Sequence, residues 1–140
     1  MARSPRRAHT VIDTTLLERL ETIAGAAIAR LPEIAYPLVS KLTSAKFLPP
    51  KRLPSSVVTI GSRVRYHDNV ADRDVWVTLC WPEQANIDHG LVSVLTPVGA
   101  ALLGLSVGSE FKWTNRAGEQ RSLTVLEVTK GGNPSAVSPS

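Results

Sequence analysis

The side chains of this chain best suited to chemistry are His9, His67, His89 and Cys80, and their spacing argues against most kinds of it. The histidines are scattered over an N-terminal arm and loops. None has a second ligand at helical or hairpin spacing, so hydrogen-bonded surface histidines are expected and no metal site is assigned. A lone cysteine excludes an intramolecular disulfide and cannot by itself form a thiolate metal site. Its place in an apolar run predicts a small buried hydrophobe. Gly61-Ser62 lacks the flanking pattern of a nucleophile elbow, and no glycine loop is built to cradle phosphate. No catalytic or cofactor-binding residue is therefore assigned, and no cofactor is expected.

The elements that must position any functional residue are clearest between Leu91 and Phe111. Val92 and Val94 alternate with Ser93 and Leu95, as in a half-buried strand. Thr96 is a good N-cap, Pro97 is preorganised for the first helical position, and Gly104 stands where a left-handed cap commonly ends a helix. Val98, Ala101, Leu102 and Leu105 recur at i, i+3, i+4 and i+7, which makes one face of a short helix apolar. Other strands are predicted at about Arg63–His67, Val75–Trp81, Glu110–Thr114 and Ser122–Val128. In the second of these Val75, Val77, Leu79 and Trp81 oppose Trp76, Thr78 and Cys80. Both faces carry apolar members, which requires cover on both sides or an exposed aromatic.

The N-terminal third reads as helix. Leu17, Leu20, Ala24, Ala27 and Leu31 recur at three and four, with Asp13 or Thr15 as cap and Thr15 with Glu18 as a capping box. Leu31-Pro32-Glu33 breaks this helix, and a second runs to about Ala45 with Ile34, Leu38, Leu42 and Ala45 on one side. Pro37 leaves the start of that second helix open. Two stripes joined by a short turn suggest an antiparallel hairpin over 13–47, with Pro32 and Glu33 at its tip. Residues 48–56, with three prolines and no periodicity, read as a linker. Residues 1–12 form a basic arm and 131–140 a tail, both expected to be disordered. The fold class is α+β: a short helical hairpin, then an antiparallel sheet domain over 57–130 with one short helix.

A chain of 140 residues holds one compact domain plus an appendage. No apolar run approaches the roughly 20 residues of a membrane span, and no signal-peptide core follows the arginine-rich start. A cytoplasmic monomer without membrane contact is the expectation. The net charge of +4 includes Arg3, Arg6 and Arg7 of the arm; with Lys46, Lys51 and Arg52 these could give weak electrostatic contact with RNA or DNA.

The order strand, Thr96-Pro97, Ala101-Leu102-x-Gly104, then Gly108 before another strand resembles the C-terminal domain of the bacterial Gre transcript-cleavage factors. Val57–Val64 is similar to the opening strand of that domain, and Pro82–Gly90 to its connection. The pairing of VVTIGSRV with PVGAALLGLSVG is most similar to a smaller relative, the regulator of nucleoside diphosphate kinase family. The resemblance covers Val57 to Val128 and implies an FKBP-like fold that docks on bacterial RNA polymerase. It further implies that Thr96, Pro97, Val98 and Ala101 face the polymerase, since the corresponding turn does so in Gre factors.

Gre factors also present adjacent carboxylates at the tip of a long coiled coil, which help to hold magnesium in the polymerase active site; a hard cation favours such oxygen ligands. Here Glu33 is the only acid at the tip, and a helix of about 16 residues reaches only roughly 24 Å. The resemblance therefore implies a polymerase binder that competes with Gre factors near the secondary channel without stimulating cleavage. An FKBP-like peptidyl-prolyl isomerase is the alternative from another class. Only 5% of the residues are aromatic, and Trp76, Trp81 and Trp113 form no isomerase motif. A nucleic-acid-binding module is the third reading.

Overall fold

The structure is a computed structural model that describes residues 10–130 except 116; the expected tail at 131–140 and the arm up to residue 9 lie outside the described residues. Among the described residues, regular structure begins before the residue 13 expected from the sequence. Val11–Asp13 forms strand β1, and Ile12 is buried in the core, so residues 10–12 do not belong to a disordered arm. Asp13 does cap, but it caps a 3-10 turn at Thr14–Leu16 by accepting from the Thr15 amide at 2.8 Å. Helix α1 follows at Leu17–Ile28 with no side-chain cap, so the expected Thr15–Glu18 capping box is not formed.

Helix α2 spans Pro32–Ser44, with Pro32 in its first turn and Pro37 inside it, which places the start left open by the sequence at Pro32. At 1.5 Å per residue α1 and α2 are about 18 and 20 Å long, shorter than expected. Strand β2, Lys46–Leu48, returns to pair with β1 in parallel, Ile12 opposite Phe47. The stretch expected as a bare linker therefore begins inside a strand. It continues through a 3-10 turn at Pro50–Arg52, with Val57 N–H donating to the Pro54 carbonyl at 3.1 Å.

The remaining strands are β3 Ser62–Asp68, β4 Arg73–Cys80, β5 Leu91–Ser93, β6 Glu110–Thr114 and β7 Gln120–Lys130, with helix α3 at Pro97–Leu102. They form one sheet in the order β5-β4-β3-β7-β6. Its pairs are antiparallel except β4–β5, which is parallel, so the expected all-antiparallel sheet is corrected at that edge. A parallel neighbour needs a crossover, and residues 81–90 supply it through 3-10 turns at Pro82–Gln84 and Ile87–His89.

Alternation along the strands turns Val64, Tyr66, Val77, Leu79, Leu123 and Val125 to one face. Leu20 and Ala24 of α1, Leu38 of α2 and Ala100–Leu102 of α3 join them in a single core. The helix pair and the sheet thus share one interior, although the sequence divides them at a proline-rich stretch. Gly104 is the junction: its N–H donates to the Val58 carbonyl at 2.9 Å and its carbonyl accepts from Val11 N–H at 3.0 Å. With φ at +82° and a Cβ position only 2.4 Å from Thr10 Cγ2, that junction admits glycine alone.

Candidate docking site

The Thr96 turn is built entirely from local hydrogen bonds. As β5 ends, the Thr96 hydroxyl donates to the Ser93 carbonyl at 2.7 Å and accepts from the Gly99 amide at 3.0 Å. Ser93 Oγ accepts from the Leu95 amide at 3.0 Å. Thr96 is thus the N-cap expected of it, with Pro97 at the first helical position. The turn is tight because residue 99 has no side chain: a Cβ there would stand 2.0 Å from the Ser93 carbonyl oxygen.

Thr96, Pro97 and Val98 are each partly exposed on this turn. Ala101 is fully buried, which corrects its assignment to a partner-facing surface: its methyl group packs inside the chain's own core. Pro32 is exposed at the start of α2, and Glu33 follows in the same first turn. Pro32 lines a groove of about 550 Å³ between α2 and β6, with Tyr36, Pro37 and Ser40 on one side and residues 111–115 on the other. None of these residues belongs to the Thr96 turn, so the structure does not bring the two sets together in one pocket. Ile28, Leu31 and Tyr36 around the helix junction are exposed, giving that end an apolar surface.

A residue missed in the sequence ties α2 to the end of α3 opposite the turn. Lys41 is buried, and its Nζ donates to the carbonyls of Ala101 and, at 2.6 Å, Leu103, at the C-terminal end of α3. Those carbonyls have no partner within so short a helix, and the negative end of its dipole favours a cation. The ammonium also lies 4.4 Å from the Phe111 ring centroid. Burial holds its pKa well below the usual lysine value. The sequence carried a signal, since Lys41 sits on the apolar stripe of Leu38, Leu42 and Ala45, where a charge needs an internal partner.

A second tie joins α1 to the crossover. Arg19 stacks 4.1 Å from the Trp81 ring centroid and pairs with Glu83. Cys80 is buried as expected, with its thiol pKa pushed up by that burial. Among the described residues no group of three or more His, Cys, Asp or Glu could hold a metal, and no helix is long and apolar enough to cross a membrane.

The family model described as the C-terminal part of transcription elongation factor GreA/GreB matches residues 53–130, which include β3 to β7 and the Thr96 turn. The chain is 38% identical over 124 residues to the regulator of nucleoside diphosphate kinase of Escherichia coli strain K12, covering 87% of this chain and 90% of that protein. It is 39% identical over 93 residues to the transcription elongation factor GreA of Prosthecochloris aestuarii, covering 65% of this chain and 58% of that one. Among solved structures, a GreA/GreB transcription elongation factor from Nitrosomonas europaea superposes with a TM-score of 0.67 at 30% identity. That alignment covers 86% of this chain and 98% of the other.

Proposed function

Since this chain belongs to the family of regulators of nucleoside diphosphate kinase and carries the GreA/GreB C-terminal domain, we propose that it is a transcription regulator that docks on RNA polymerase through the Thr96–Val98 turn. The observation that carries this reading is the turn itself. The Thr96 hydroxyl and amide are spent on internal hydrogen bonds, while Pro97 and Val98 remain partly exposed on the helix that Thr96 caps. Such a surface binds with little ordering cost. Docking is near the secondary channel, where the protein competes with Gre factors. It does not stimulate transcript cleavage, because Glu33 is the only acid between Ala29 and Ile34 and a paired carboxylate is missing.

Retention of this protein on immobilised core polymerase, challenged with excess Gre factor, tests the reading. Loss of retention under challenge is expected. Undiminished retention would exclude a shared site, and no retention at all would end the proposal. Pro97→Asp should weaken binding by roughly thirtyfold, since a central contact is worth about 2 kcal/mol. An acidic residue is favoured in a first helical turn, so the variant should fold.

A further inference from the structure

The helices cover one face of the five-stranded sheet, and the opposite face carries the alternate residues of β3, β4 and β7. On that face Trp76 is 40% exposed; it pairs with Arg65 of β3 and lies beyond the short β5, which reaches only residues 78–80 of β4. The guanidinium of Arg63 lies 4.5 Å from the Trp76 ring centroid and that of Arg65 lies 6.0 Å from it. The two arginines differ in charge balance. Arg65 is held by Asp74 at 3.0 Å and Glu127 at 3.2 Å, whereas Arg63 has no carboxylate partner among the described residues.

We infer that the Arg63–Trp76 patch is a second docking surface, which takes a carboxylate beside an apolar side chain on a partner protein. The inference rests on the polymerase reading above and names the chemistry of a second contact on that enzyme. Contact with the Trp76 ring limits where the Arg63 guanidinium can lie, and its fork of N–H donors suits a carboxylate. The exposed ring beside it offers apolar area of the kind that dominates protein interfaces. Asp74 and Glu127 on the same face oppose a phosphodiester chain, which places a negative charge at every nucleotide. The chain's own net charge of +4 opposes a second copy.

Affinity for immobilised core polymerase is to be measured for the parent and for Arg63→Glu, Arg63→Lys and Trp76→Ala, with a thermal melt of each and a parallel titration of labelled single-stranded RNA. Arg63→Glu and Trp76→Ala should each bind polymerase at least tenfold more weakly. Arg63→Lys, which keeps the charge but not the planar fork, should fall between them and the parent. Folded Arg63→Glu with parental affinity would overturn this patch alone and leave the polymerase reading standing. Failure of the parent itself to bind would overturn both. Loss of RNA binding with polymerase binding unchanged would assign the patch to nucleic acid and overturn the inference.

Discussion

At the scale of single residues, two titratable groups make opposite demands on pH. His67 stands between two carboxylates, its Nδ1 donating to Asp74 Oδ1 at 2.8 Å and its Nε2, when protonated, to Asp72 Oδ1 at 3.1 Å. The hydrogen bond to Asp74 raises the histidine pKa above 6.5, and the same bond holds the Asp74 carboxyl below its usual value. The histidine contribution to stability is complete below 6.5 and is lost as pH rises through the folded value; the aspartate contribution is lost as pH falls through its lowered value. The ring resonances of His67 should therefore titrate above 6.5, and a midpoint at or below that would remove the pair. Lys41 behaves the other way. Its folded pKa lies well below 10.5, so the unfolded chain holds that proton more tightly and stability rises with pH up to the ordinary lysine value. Lys41→Met should flatten that alkaline rise. Lys41→Ala should lose about 2–4 kcal/mol in chemical denaturation, because it strands two carbonyls and opens a cavity. A loss under about 0.5 kcal/mol would show that the ammonium is dispensable. The capping role of Thr96 was legible from residue type alone, whereas the partners of Lys41 lie 60 and 62 residues away and no local pattern names them.

At the scale of elements, the strands from β3 to β7 and helix α3 were legible because each has a period, a cap or a glycine stop of its own. The β1–β2 pair was not, since three residues per strand are too few to show alternation. The parallel β4–β5 pairing was hidden for another reason: direction is decided by the crossover at 81–90, whose short 3-10 turns have no periodicity that reveals which way the chain returns. Two glycines separate packing from helix propensity. Gly99→Ala drives a Cβ into the Ser93 carbonyl and should cost about 3 kcal/mol, with α3 displaced. Gly25, inside α1, has nothing within 4 Å of its Cβ position, so Gly25→Ala should stabilise the fold by about 0.5–1 kcal/mol. Paired thermal melts give both signs. Equal effects would mean that the Ser93 backbone yields easily.

At the scale of the whole molecule, the sequence suggested a hairpin, a linker and a domain, and the structure joins them through one interior. Composition could not show this. Residues 48–56 look like a hinge because prolines suppress periodicity, yet Lys41, Arg19 and Gly104 bind the two sides together independently of that segment. Pairing of β1 with β2 also ties the two ends of the helix pair into one three-residue ladder, Val11 opposite Lys46 and Asp13 opposite Leu48. The excursion from Asp13 to Lys46 is consequently a closed handle. A protease cutting once between Pro49 and Ser56 would sever the backbone without freeing either part. The fragments should migrate together on a native gel and separate only in denaturant, so the molecule would outlive the loss of the one covalent bond that its sequence marks as its weakest.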